Sequence, residues 1–183
     1  MKPHTFVVTV EDEPGVLNRV SSLFRRRNYN IDSLTVGRSD TPGISRMTIV
    51  VPTDEAGAQR VEANLYKLVN VISVKDVTNM PAVYRDLAMI KVAATPVERP
   101  GIVHLVDVFR ARIIDLAPDS LTIEITGAED KIDGLLEVLR PYGVLEMART
   151  GRVAMARGIK SASGALAAEA QPDTTDSNVS YSV

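Results

Sequence analysis

The chain has 183 residues, 45% of them hydrophobic, and a formal net charge of −2. It is long enough for one ordinary domain or two small ones, and apolar enough to bury a core. This charge gives no field that attracts nucleic acid or an anionic membrane, so neither is an expected partner. The absence of cysteine excludes a disulfide framework, a thiolate nucleophile and a cysteine-based zinc site, and two histidines, His4 and His104, are too few for a histidine-rich metal centre.

The N-terminus has no basic region followed by an apolar signal core. No apolar run approaches the ~20 residues that a membrane-spanning helix needs. We therefore expect a soluble, cytoplasmic protein.

The first 79 residues carry four strand patterns and two helix patterns. Strand patterns occupy residues 6–10, 30–38, 44–51 and 71–77, and apolar residues recur at helical spacing over 16–24 and 58–68. Asp-Thr-Pro-Gly at 40–43 has hairpin-turn chemistry. The order β-α-β-β-α-β is the ferredoxin-like pattern, an antiparallel sheet with two helices on one face.

The second half repeats this order. Strand patterns occupy 87–94, 112–116, 121–125 and 144–155, the last with a break expected at Gly151, and helix patterns occupy 102–109 and 132–139. Short echoes support a duplicated topology. They pair Val10-Glu11…Pro14-Gly15 with Val97-Glu98…Pro100-Gly101, and Phe24…Ile31-Asp32 with Phe109…Ile114-Asp115.

The predicted fold class is therefore α+β, with two ferredoxin-like βαββαβ domains at residues 1–79 and 80–160. Beyond them the composition becomes small and polar, without sustained periodicity. Such a segment buries too little apolar surface to offset the cost of ordering it. A disordered tail is predicted over residues 161–183.

Neither an enzyme nor an RNA-binding sheet is favoured. No Ser-His-Asp, Cys-His or metal constellation is present, and we interpret Asp115 and Glu124 as sheet-end or solvated-face acids, so no catalytic residue and no metal ligand is predicted. RNA-binding sheets of this topology need aromatic platforms on the central strands and a basic surface. Phe6 is the only aromatic residue on the two candidate central strands, and its alternation assigns it to the core.

The principal candidate binding site is the strand-to-helix turn Glu11-Asp12-Glu13-Pro14-Gly15. Unpaired N–H groups at a helix start hold a carboxylate or phosphate, and Gly15 allows close approach to the backbone. Asp12 suits an ammonium group, so the turn fits a zwitterion better than a phosphate, which the three acids repel. The alternative is ordinary helix-start chemistry, with Pro14 in the first turn and Asp12 or Glu13 at or beside the N-cap.

Asn30 strengthens the binding-site hypothesis. It begins the predicted second strand, which is an edge strand in this topology, and an open edge invites pairing with another chain. Two copies paired there about a two-fold axis would bring Asn30 of one copy near the Gly15 turn of the other. The alternative is that Asn30 only forms a turn.

Three other polar groups have structural interpretations. We interpret the Arg triplet at 25–27 as a solvated helix end, with a basic patch that binds a partner as the alternative. His104 reads as a packed or partly exposed helical histidine. Arg149 and Arg152, which flank Thr150-Gly151, are expected first to form structural ion pairs and second to contact an anion or a partner.

One combined series of segments is specific to a known family. In chain order it comprises VEDEPGVLNRVSSLFRRRNYNIDSLTVG, SRMTIVV, LYKLVNVISVKDVT, RDLAMIKV, FRARIIDLAPDSLTIEITGAEDKIDGLLEVLRPYG and EMARTGRVAMARG. The first half resembles the ACT domain, a small-molecule-sensing module that often binds amino acids. Over about residues 2–160 the chain resembles the regulatory small subunits of acetolactate synthase, also called acetohydroxyacid synthase.

The resemblance implies a non-catalytic role. In that family the large subunit condenses two pyruvates, or pyruvate with 2-oxobutanoate, using thiamine diphosphate, Mg²⁺ and FAD. The small subunit raises this activity and imposes feedback inhibition, usually by valine, in branched-chain amino acid biosynthesis. The expected partner is therefore the large subunit, and no cofactor is expected in this chain. The alternative is an ACT-domain sensor with leucine or isoleucine as its effector, or with another partner enzyme.

The resemblance also implies an effector site at the interface of paired ACT domains in a homodimer. Gly15 and Val16 would present N–H groups to the valine carboxylate, and Asp12 would accept from its ammonium group. Asn30 would form a hydrogen bond across the interface, and Ile31 would help to form an apolar wall. Many relatives have Asn where this chain has Asp12, and the added charge disfavours a carboxylate nearby.

Overall fold

The computed structural model describes residues 2–158, which form nine strands, four helices and one 3-10 turn; the predicted tail at 161–183 lies outside them. No helix within this range is long and apolar enough to cross a membrane. In chain order the elements are β1 (Lys2–Glu11), α1 (Val16–Arg26), β2 (Ser33–Arg38), β3 (Ile44–Thr53), α2 (Glu55–Leu65), β4 (Val71–Asp76), β5 (Ala82–Ala93), α3 (Arg99–Val108), β6 (Arg112–Leu116), β7 (Ser120–Gly127), α4 (Glu129–Leu139), the turn Arg140–Tyr142, β8 (Val144–Arg149) and β9 (Val153–Ala156).

The first sheet has the strand order β2-β3-β1-β4, with every pair antiparallel. Because side chains alternate along a strand, Phe6, Val8 and Val10 all point to one face and are fully buried there. Helices α1 and α2 cover this face. The core beneath them contains Val16, Val20, Leu23, Phe24, Met47, Ile49, Val51, Ala58, Val61, Leu65 and Val74.

The second sheet has the order β6-β7-β5-β8, and β9 pairs with the first part of β5. Its own core lies under α3 and α4 and is separate from the first core. The predicted α+β class with two β-α-β-β-α-β units is confirmed. The break expected at Gly151 is also present, because β8 ends at Arg149 and β9 begins at Val153.

From the first strand to the end of the first helix, the two units correspond at an offset of 82 residues. The strand bulge before Val10 recurs before Val92, and the helix-ending residues with positive φ are Asn28 and Arg110. Helices α1 and α3 both end in a Schellman motif, in which the N–H two residues beyond the C-cap donates to the third-last carbonyl of the helix. The duplicated topology is therefore real, but the predicted echoes that pair Val10 with Val97 and Phe24 with Phe109 do not follow this offset.

The two units contact each other through the sheet face that α1 and α2 leave uncovered. Val7, which points away from the first core, packs with Val77 and Ala154 in a small shared cluster. The Arg46 guanidinium donates to the Ala154 carbonyl at 2.8 Å. Strand β9 therefore covers part of the outer face of the first sheet.

Candidate functional site

The turn that joins β1 to α1 is open at Gly15. Gly15 has φ +87° and stands at the N-cap of α1, and an added Cβ would meet no atom within 4 Å. The left-handed backbone favours glycine, because a side chain would clash with the adjacent backbone. Helix α1 begins only at Val16, so the prediction that Pro14 lies in its first turn is wrong.

Asp12 does not cap the helix, because its carboxylate faces the β2–β3 hairpin. Its Oδ1 accepts a hydrogen bond from Ser45 Oγ at 3.1 Å, and its Oδ2 lies 3.6 Å from Arg38 Nε. The Arg38 side chain is 89% exposed, so water screens this ion pair and it neutralises the acid only weakly. The Asp12 N–H donates to the Gly43 carbonyl at 2.8 Å. The hairpin therefore orients Asp12 and leaves it half exposed.

The equivalent turn of the second unit is closed by its own side chains. The Thr95 hydroxyl accepts from the Glu98 N–H at 3.3 Å, and the Glu98 carboxylate accepts from the Thr95 N–H at 3.0 Å. This reciprocal pair has the hydrogen bonds of a capping box and satisfies two backbone donors in the turn just before α3, whose own N-cap is Glu98. At the equivalent place in the first unit, α1 has no side-chain cap, and the Val16 N–H reaches the Glu13 carbonyl at 3.3 Å.

Asn30 and Ile31 lie at the other end of β2 from this turn. The hairpin end of β2, at Arg38, pairs with Ser45 beside Asp12, whereas Asn30 precedes the start of the strand. A strand of six residues is roughly 17 Å long. A single chain therefore brings Asp12, Gly15 and Val16 together but holds Asn30 and Ile31 apart from them.

Strand β2 begins at Ser33, three residues later than predicted. The Asn30 amide donates to the Asp32 carboxylate at 2.8 Å, so this segment forms a local turn before the strand. Ile31 is half buried and packs against the first core. The predicted edge position is confirmed, because β2 is the terminal strand of its sheet.

Arg149 and Arg152 form the ion pairs that were expected of them. Arg149 contacts the buried Asp86 at 2.8 Å and Asp133 at 2.9 Å, and Arg152 contacts Glu129 at 2.7 Å. Burial alone would lower the pKa of Arg149, but the hydrogen bonds and charges of Asp86 and Asp133 raise it. Both arginines, with Asp86 and Glu129, line a cavity of about 470 Å³ between the two units, together with Asp32, Ser33 and Leu34.

Sequence reasoning did not assign a role to Ser33 or to the contact of Gly151 with β2. A Cβ on Gly151 would lie 2.5 Å from Thr35 Oγ1 and 2.7 Å from Ser33 Oγ. Glycine in the predicted break was the only local sign of such a close approach. Nothing in the sequence indicated which strand would supply the neighbouring atoms.

Comparison with known proteins identifies the class of the first unit. The family described as "AHAS small subunit-like ACT domain" matches residues 6–73, and the family described as "Small subunit of acetolactate synthase" matches residues 85–158. The first unit is thus an ACT domain, with the open Gly15 turn after its first strand.

Whole-length relatives then define the family. The chain is 46% identical to a probable acetolactate synthase small subunit of Methanothermobacter thermautotrophicus, over 88% of this chain and 98% of the relative. It is 50% identical to a protein of the same description from Archaeoglobus fulgidus, over 86% and 98%. The crystal structure of the acetolactate synthase small subunit from Thermotoga maritima superposes with a TM-score of 0.82 at 40% identity, over 87% and 99%. The chain belongs to the family of acetolactate synthase small subunits.

Proposed function

We propose that this chain raises the activity of an acetolactate synthase large subunit and makes that activity sensitive to valine. Membership of the small-subunit family and the presence of an ACT domain support this proposal. The chain is regulatory and carries out no chemistry itself. The large subunit supplies catalysis with thiamine diphosphate, Mg²⁺ and FAD, and the complex acts in the cytoplasm in branched-chain amino acid biosynthesis.

The positions of the predicted effector-site residues along β2 are the observation that supports the proposal. Asp12, Gly15 and Val16 lie near one end of this edge strand, and Asn30 and Ile31 lie at the other. Antiparallel pairing of β2 with β2 of a second copy places opposite ends side by side. A two-fold homodimer of ACT domains therefore completes two equivalent sites, each built from both copies.

Valine fits the chemistry of the completed site. Its carboxylate accepts hydrogen bonds from the N–H groups of Gly15 and Val16, and its ammonium group donates a hydrogen bond to the Asp12 carboxylate. The bond from Val16 to the Glu13 carbonyl is long at 3.3 Å, so this N–H can be shared with a ligand. Asn30 of the second copy adds a hydrogen bond across the interface, and Ile31 forms part of the apolar wall around the side chain.

Valine acts by binding one arrangement of the paired ACT domains more tightly than another. An effector shifts an equilibrium only by its difference in affinity for the two states. The valine-bound arrangement activates the large subunit less. A coupling free energy of roughly 1–3 kcal/mol is ordinary for such a system.

The test is acetolactate formation by the cognate large subunit, with and without this chain, across an L-valine titration. Stimulation that valine reverses supports both parts of the proposal. Stimulation without valine sensitivity supports the subunit assignment but not valine as the effector. The titration is then repeated with leucine and isoleucine, the alternative effectors. No stimulation contradicts the proposal and leaves an ACT-domain sensor with another partner enzyme.

A further inference from the structure

We propose that Gly151 and Arg152 transmit the state of the effector site to the second unit. This inference rests on the proposed function, and it assigns a role to a segment outside the effector site. The segment Thr150–Arg152, which joins β8 to β9, lies against the part of β2 that follows Asn30 and Ile31. It is thus the place where the second unit touches the strand that the effector site spans.

Gly151 packs against β2 with no room for a side chain. A Cβ on Gly151 would stand 2.5 Å from Thr35 Oγ1, 2.7 Å from Ser33 Oγ and 3.0 Å from the Leu34 carbonyl oxygen. Side chains essentially never approach so closely, so only glycine fits here without movement. Because packed interfaces are close to incompressible, a shift of the start of β2 must displace the Gly151 segment as well.

Arg152 contacts β2 and three other elements. Its backbone N–H donates to Ser33 Oγ at 2.8 Å, a bond that side-chain variants keep, and its guanidinium donates to Thr5 Oγ1 at 3.2 Å in β1. The guanidinium also pairs with Glu129 at the start of α4 and lies over the Tyr84 ring at 5.4 Å. A planar guanidinium makes directional contacts of this kind that a lysine does not reproduce. Arg152 therefore links β2 and β1 of the ACT domain to β5 and α4 of the second unit.

Arg149 offers a matched comparison in the same segment. Its side chain is 22% exposed, close to the 19% of Arg152, and it also forms charged hydrogen bonds. The carboxylates that it contacts, Asp86 and Asp133, both belong to the second unit. Loss of Arg149 therefore perturbs the second unit without removing a side-chain hydrogen bond to the ACT domain.

The experiment uses the reconstituted holoenzyme with the variants Arg152→Gln, Arg152→Lys, Gly151→Ala and Arg149→Gln. Calorimetry gives the valine affinity of each small subunit alone and in the holoenzyme, and an assay gives the rate with and without saturating valine. Reciprocity requires that a coupled site bind valine with different affinity in the two settings. A purely structural residue would change stability but not this ratio of affinities.

We expect Arg152→Gln and Gly151→Ala to bind valine as small subunits and to stimulate the large subunit. Their two valine affinities should become equal, and the rate at saturating valine should rise toward the rate without valine. Arg152→Lys should restore little, whereas Arg149→Gln should retain inhibition.

Two outcomes overturn the inference: full valine inhibition in Arg152→Gln and Gly151→Ala, or equal loss of inhibition in Arg149→Gln. Failure of the wild-type chain to bind valine or to stimulate the large subunit overturns the proposed function instead. The two failures are thus distinguishable in one set of measurements.

Discussion

Val97 occupies in the second unit the position that Gly15 occupies in the first. Each follows a proline at the strand-to-helix turn, and the offset of 82 residues is the one that relates Asn28 to Arg110. Gly15 has φ +87°, whereas among residues 2–158 only Asn28 and Arg110 are non-glycine residues with positive φ. The Val97 side chain is 89% exposed and lies between Thr95 and Glu98, which bond to each other. Of the two equivalent turns, only the first therefore has the left-handed glycine on which the proposed ligand site depends.

Gly15→Asp is expected to abolish valine binding and valine inhibition. The new side chain adds bulk and negative charge where the valine carboxylate is proposed to lie, and it must adopt a left-handed backbone that costs about 1–2 kcal/mol. Calorimetric titration and the valine dependence of the holoenzyme rate measure the effect. Gly158→Asp is the control, because Gly158 also has positive φ and an added Cβ there meets nothing within 4 Å. Undiminished inhibition in Gly15→Asp contradicts the placement of the site.

Asp12→Asn is expected to tighten valine binding. The amide still accepts from Ser45 and from an ammonium group, but it removes a charge that repels the valine carboxylate. Between exposed groups this repulsion is worth less than about 1 kcal/mol, so affinity should rise by less than about fivefold. Asp40→Asn in the neighbouring hairpin turn is the control for general charge. Weaker binding in Asp12→Asn would show that the full charge is needed for the ammonium group.

Thr95→Ala is expected to destabilise the second unit by about 0.5–2 kcal/mol, because it removes the capping-box bonds of the turn just before α3. The pKa of Glu98 is held below its ordinary value by the side chain and the backbone of Thr95, so it should return toward normal. Urea unfolding followed by circular dichroism measures the change, since the chain has no tryptophan. Thr95→Ser keeps the hydroxyl and should remain close to wild type. Equal losses in both variants would exclude the cap as the cause.

Asp76→Asn is expected to flatten the acid side of the stability profile. Partial burial by itself raises the pKa of Asp76, but hydrogen bonds from Thr78 and His4 and the charge of His4 bring the pKa below its ordinary value. The folded state thus holds this proton less tightly than the unfolded chain does. The stability from ionised Asp76 is present above the unfolded pKa of about 3.9, and it is lost as pH falls through the lower folded pKa.

Urea unfolding of the Asp76 variant across the acid range measures this dependence. The wild-type free energy of unfolding should fall more steeply than that of Asp76→Asn below about pH 4. Asp107→Asn, at an exposed position on α3, serves as the control. Parallel profiles for wild type and Asp76→Asn would contradict the assignment.

Local patterns predicted the elements that bury a regular apolar face. The alternation of Phe6, Val8 and Val10 predicted β1, and the spacing of Val16, Val20 and Phe24 predicted α1. Both predictions hold because alternate residues share one face of a strand, whereas residues three or four apart share one face of a helix. The hairpin between β2 and β3 follows the turn chemistry at 40–43 for the same local reason.

Predictions about the ends of elements were less successful. Asp12 was a candidate cap, but its carboxylate bonds to Ser45, 33 residues away. Strand β2 was expected to begin at Asn30, but the amide of Asn30 bonds to Asp32. Asp and Asn side chains at the ends of elements can form hydrogen bonds with several different groups. The tertiary structure determines which of these groups lies within reach.

The sequence by itself determined the two β-α-β-β-α-β units, the glycine turn after β1 and the family to which the chain belongs. These follow from apolar period, turn chemistry and motifs, all of which are read along a short stretch of chain. Only the tertiary structure decided that the residues proposed for the effector site lie at opposite ends of β2, and that the backbone N–H of Arg152 bonds to Ser33, 119 residues earlier. Contacts between distant segments depend on strand order and on the packing of one unit against the other, which no local pattern records.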